Sequence, residues 1–189
     1  MKQARSVIYK SLRWLTLLVS CLALPSHADE LKDVNQLVRT NQFTEALAKA
    51  DSYLVNKPSD PQMRFLKGVI QRQLGKPVDA IVTFTGLTQD YPELAEPYNN
   101  LAALYAAQGQ LDQARAALEM AIRTNPNYAI AHENLGDVYA LLAGEAYSKA
   151  LQLDKGNTTV PPKLAGIGEV LKLNLANPGQ TPVAPAVKP

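Results

Sequence analysis

The chain has 189 residues, with 19 Lys and Arg against 17 Asp and Glu and a formal net charge of +2. Four cations (Lys2, Arg5, Lys10, Arg13) and no carboxylates precede Asp29, so from there on 15 cations face 17 anions, a balance of −2 that excludes a polybasic nucleic-acid binder. A single Cys excludes an intrachain disulfide framework and a Cys-rich zinc site, Gly and Pro without a three-residue period exclude collagen, and the length suits one or two small domains.

The first predicted element is a targeting segment. Residues 1–13 are basic, residues 14–24 are mostly apolar, Pro25 breaks the stretch, and Ser26-His27-Ala28 sets small residues at −3 and −1. This is the order of a secretory signal, with cleavage expected after Ala28. The 11 apolar residues fall short of the ~17–25 that span hydrocarbon, so the mature form is expected to carry no membrane span. Leu18-Val19-Ser20-Cys21 also resembles a bacterial lipobox, in which Cys21 would be lipidated. The apolar Leu22-Ala23-Leu24 comes next, where lipoproteins turn polar, which weighs toward soluble release. Release leaves a chain with no Cys, no Trp and one histidine, His132.

A 34-residue period organises the rest of the chain. Ala46, Ala80 and Ala114 are 34 apart, as are Pro58, Pro92 and Pro126. So are Gly68, Ala102 and Gly136, with Val34 extending the set backwards, and so are Asn41, Gly75 and Gly109. Each unit predicts two amphipathic helices. Leu101, Leu104 and Tyr105 mark one apolar face, and Leu111, Ala114, Leu118, Ala121 and Ile122 the other. Gly109 ends the first helix, where positive φ is often needed. Gly68, Ala102 and Gly136 are small where two helices must approach closely. Pro126 and its equivalents come after the second helix, and Asn125, Ser59 and Asp60 suit caps and turns. So short a helix pair cannot bury its apolar face alone, so the units must stack into an all-α solenoid.

These marks resemble the tetratricopeptide repeat (TPR) family. Residues 27–60 form the weakest unit: Leu37, Ala46, Ala50 and Pro58 match, and Glu30 and Val34 replace the aromatic and the glycine. Residues 61–94 keep Gly68, Gly75, Ala80, Phe84 and Pro92, with Arg64 at the first aromatic mark. Residues 95–128 are the clearest, with Tyr98, Leu101, Ala102, Tyr105, Gly109, Ala114, Leu118, Ala121 and Pro126 in register. The fourth unit, residues 129–157, begins with His132, Leu135, Gly136 and Tyr139 in place. It then lacks five residues between Tyr139 and Glu145, because Tyr147 stands at position 19 of its unit where Phe84 stands at 24. It reads as a truncated terminal unit, one bent helix over residues 130–153. The resemblance implies a right-handed superhelix of helix-turn-helix pairs.

Residues 158–162 read as a linker, and residues 163–173 as a short capping helix with Leu164, Ile167, Val170 and Leu171 at helical spacing and Gly166 and Gly168 weakening it. Residues 174–189 hold four prolines and almost no charge, which predicts a disordered or polyproline-like tail.

No catalytic constellation emerges. Without Cys in the mature chain, thiol catalysis and thiolate metal sites are out. His132, Glu133 and Asp137 do not share the one helix face a metal would need. Ser52, Ser59 and Ser148 lie in no nucleophile elbow, and Gly166-Ile167-Gly168 is no phosphate loop. Neither a cofactor nor a metal is expected. The TPR resemblance implies instead a non-enzymatic scaffold whose first helices line a concave groove for a partner protein or peptide. Carried onto this chain, the groove positions are Phe65, Val69, Arg72 and Gln73, then Glu96, Asn99, Ala103 and Ala106, then Glu133, Asp137 and Ala140. Phe65 fits a core position equally well. Asn100 matches one position of the family's carboxylate clamp, but the clamp lysines are missing. Export then implies an adaptor in the envelope of a Gram-negative-like bacterium, most naturally periplasmic. The alternatives are an outer-membrane lipoprotein tethered through Cys21 and an auxiliary subunit of an envelope enzyme complex.

Overall fold

The computed structural model describes residues 27–175. The expected signal segment with Cys21 and the Pro-rich tail therefore lie outside the described residues, apart from the junctions at His27 and Leu175. Among the described residues every regular element is a helix: α1 (His27–Arg39), α2 (Phe43–Asn56), α3 (Pro61–Gln73), α4 (Pro77–Asp90), α5 (Ala95–Ala107), α6 (Leu111–Thr124), α7 (Ala129–Leu153) and α8 (Val160–Leu175). The fold is an all-α helical repeat.

One turn recurs between the two helices of each of the first three pairs. Asn41, Gly75 and Gly109 have φ of 58, 68 and 71°. The next amide reaches back five residues (Gln42 to the Leu37 carbonyl, Lys76 to Gln71, Gln110 to Tyr105, each 2.9 Å), and the positive-φ residue's own amide reaches back three. This is the Schellman closure, which satisfies the last carbonyls of a helix and needs a residue that tolerates a left-handed backbone. Helix starts are set as simply. Pro61 and Pro77 open α3 and α4, where a missing N–H costs nothing, and the Asp60 carboxylate accepts from the Met63 amide at 2.8 Å.

The core is a string of three clusters, and each joins neighbouring pairs. Val34, Ala46, Ala50 and Tyr53 meet Met63, Leu66 and Ile70 of the next pair. The opposite side of α3 supplies Phe65 and Val69 to a second cluster with Phe84, Leu87, Leu101 and Leu104. Ala102, Ala114, Leu118 and Ala121 meet Ala131 and Val138 in the third. No pair completes its own core, which is why the stack is the stable unit.

The fourth unit departs from the pattern. Its missing residues fuse the two expected helices into α7, continuous over 25 residues. No second helix folds back over Gly136, and a Cβ built there meets nothing within 4 Å. The close-approach role expected of Gly136 is therefore corrected. At Gly68 that role holds: a Cβ would lie 2.7 Å from Cε1 and Cζ of Phe84. α8 instead folds back on the second half of α7. It begins at Val160, inside the expected linker, because Pro161 and Pro162 fall in its first turn, where amides have no intrahelical acceptor.

Candidate functional site

The first helices α3, α5 and α7 lie side by side, and a row of polar contacts stitches them. Arg72 Nη1 donates to Asn100 Oδ1 at 3.2 Å, tying α3 to α5. Asn134 Nδ2 donates to Asn99 Oδ1 at 2.8 Å, tying α5 to α7. Asn100 Nδ2 also donates to the Glu96 carbonyl at 2.9 Å, and Thr83 Oγ1 donates to Gln71 Oε1 at 2.7 Å beneath the row. Gln71, Asn99 and Asn100 are the buried polar residues among those described, and the hydrogen bonds offset the cost of taking them out of water.

This geometry divides the expected groove residues. Phe65 is fully buried and stands edge-on to Phe84 with ring centroids 5.6 Å apart; Val69 is buried in the same cluster. Asn99 is buried as well. These three hold the helices together and offer no surface to a partner, so their assignment to the groove is corrected. The reason is the position of α3, which is packed on two sides, and the lateral contact between first helices, which covers the side chains facing the seam.

The other candidates reach the surface. Gln73, Ala103 and Glu133 are exposed, and Arg72, Glu96, Ala106, Asp137 and Ala140 are half-buried. They form a shallow strip over α5 and α7 in which Ala103 leaves room and Glu96, Glu133 and Asp137 supply negative charge. Arg72 sits at the other end. Burial lowers its pKa, and its hydrogen-bond partner among the described residues is the neutral Asn100. At the acidic end, burial and then the charge of Glu96 push the Tyr128 phenol up to about 12. The strip offers acceptors to a cationic or hydrogen-bond-donating segment. No paired nucleophile and base lie in it.

His132 is exposed, with Nε2 3.0 Å from the Pro126 carbonyl. Among the described residues no three His, Cys, Asp or Glu side chains converge to hold a metal ion, and no helix is long and apolar enough to cross a membrane. Sequence reading overlooked Asn134 and Tyr128. Asn134 stands 34 residues after Asn100, so the period itself marked it.

Residues 31–94 match the tetratricopeptide repeat family, and residues 103–142 match the TPR repeat family. A chloroplastic tetratricopeptide repeat domain-containing protein of Arabidopsis thaliana, PYG7, is 34% identical over 89 residues, which is 44% of this chain and 30% of that protein. This chain thus spans under a third of that relative's length. TTC0263, a thermophilic TPR protein of Thermus thermophilus, superposes with a TM-score of 0.59 at 26% identity, covering 77% of this chain and 83% of that one. The Yersinia enterocolitica type III secretion chaperone SycD, solved with a peptide of the translocator YopD, superposes with a TM-score of 0.55 at 13% identity over 58% of this chain and 89% of its own, a likeness of fold alone. The 34-residue marks, the thrice-repeated turn and these matches together make this chain a tetratricopeptide repeat protein.

Proposed function

We propose that this protein is a non-enzymatic adaptor of a bacterial cell envelope. It is exported, and it holds a segment of a partner protein along the strip over α5 and α7. The observation that carries this reading is the acidic surface around the exposed Ala103. Glu96 and Glu133 enter no ion pair among the described residues and contribute nothing to packing between units, so their charge is available to a ligand. The partner segment is accordingly neutral to basic. The peptide held by SycD supports a peptide-binding use of this fold, and the basic, apolar, small-residue order of residues 1–28 supports export.

The test is affinity capture from envelope extracts with the mature chain and three variants. Glu133→Lys and Ala103→Arg should weaken capture of the same partner by ~1 kcal/mol or more with melting unchanged. Arg115→Ala, on the far side of the stack in α6, should leave capture intact. Capture lost only with Arg115→Ala would place the surface on the wrong side. Intact mass of the exported protein separates a start at Asp29 from a lipidated Cys21, and a chain still beginning at Met1 would overturn export.

A further inference from the structure

The C-terminal end of the stack is short of a layer. α3 and α5 each bury seven residues, whereas α7 buries only Ala131 and Val138, both in its first half. In α8 only Val160 is buried among the described residues, and Val170 is 52% exposed. Between the second half of α7 and α8 runs an open groove of about 500 Å³. Its floor is Leu141, Gly144, Leu164, Ile167 and Leu171. The floor is deepest at Gly144, where an added Cβ would have a single neighbour, Ile167 Cγ2 at 3.9 Å. Leu164, Ile167 and Leu171 recur at the four- and three-residue spacing by which helices mesh in bundles.

We propose that this groove is completed by the same groove of a second copy, giving a two-fold symmetric four-helix bundle of α7, α8 and their counterparts. The charges on its rim are self-complementary. Along α7 the order is Glu145 then Lys149, and along α8 it is Glu169 then Lys172. When α8 of the second copy lies antiparallel to α7, Glu145 faces the copy's Lys172 and Lys149 faces its Glu169. The spacings agree, four residues against three, or about 6 Å against about 4.5 Å of helix rise. Glu145 and Lys149 have no ion-pair partner within the described residues, so they are available for this pairing. The face carries no net charge, so a second copy is not repelled, and a strongly acidic or basic partner gains nothing there. An isologous contact of this kind closes on itself and ends the stack at two copies.

The experiment is the mass of the full chain by light scattering under reducing conditions, up to about 1 mM, where even a weak contact is populated. A two-copy mass is expected. Ile167→Glu should give one copy with helicity retained. Lys149→Glu should raise the concentration of half-dissociation severalfold, and Lys149→Glu combined with Glu169→Lys should restore it. The charge pair decides the matter even if Ile167→Glu fails to fold. A single-copy mass throughout overturns the proposal. So does a dimer indifferent to Lys149→Glu, or one lost when residues 176–189 alone are removed.

Discussion

Asn134 Nδ2 on α7 donates to Asn99 Oδ1 on α5 at 2.8 Å, and Asn99 is only 2% exposed. The bond is the polar anchor of the seam between the third and fourth units. Asn99→Ala removes the acceptor and leaves a half-buried amide to be desolvated without return, which should cost about 1–3 kcal/mol of unfolding free energy in a chemical melt. Asn134→Ala alone should cost less, because its side chain is closer to water. The double variant should cost less than the sum of the two. Additive costs would mean that the contact contributes nothing of its own.

Gly68 and Gly136 occupy the same position of the repeat, and alanine should act on them with opposite sign. At Gly68 the new Cβ would sit 2.7 Å from the Phe84 ring, which is itself fully buried and cannot swing away. Gly68→Ala should destabilise by about 1–3 kcal/mol, and adding Phe84→Leu should recover part of that. At Gly136 there is open space in the interior of a long helix. Gly136→Ala should stabilise by up to ~1 kcal/mol through helix propensity alone. Thermal melts of the two variants side by side check both signs.

That contrast shows where the sequence was legible. The period, the turns at Asn41, Gly75 and Gly109, and the cap at Asp60 are local chemistry, and each is written in a residue that suits few other backbones. The strip was half legible. Repeat position identifies which residues sit on the first-helix side, but not how far a neighbouring helix covers them. α3 is apolar nearly all round, with Met63, Leu66 and Ile70 facing one cluster and Phe65 and Val69 the next. Its pattern therefore shows no solvent face from which a groove could be read. The fate of Gly136 depends on a deletion further along the chain, whose effect is tertiary.

Phe65 offers a test of core against surface. Its ring is fully buried against Phe84 at the join of the second and third units. Phe65→Ala should cost ~3–5 kcal/mol, while Phe65→Leu, which keeps most of the volume, should cost far less. Both variants, measured where they remain folded, should capture the partner with unaltered affinity. Loss of capture by a folded Phe65→Leu protein would return Phe65 to the binding surface.

Two buried phenols give the fold an alkaline limit. Tyr128 is raised from 10.0 to about 12, by burial first and the Glu96 charge second. Tyr53 is raised as well, by burial first, then by its hydrogen bond to Asp60 and the charges of Asp60 and Glu30. In each case the folded state favours the protonated phenol. The stability this supplies is fully present below the unfolded pKa of about 10 and is lost as pH climbs through the folded value. The melting temperature should therefore fall between pH 10 and about 12, with little change from this source below pH 10. Tyr128→Phe cannot ionise and should fall less steeply across that window. Glu96→Gln should flatten the curve by a smaller amount, since burial is the larger cause. Thermal melts followed by circular dichroism at several pH values decide it. Parallel curves for the native chain and Tyr128→Phe would show that this phenol titrates as freely in the folded chain as in the unfolded one.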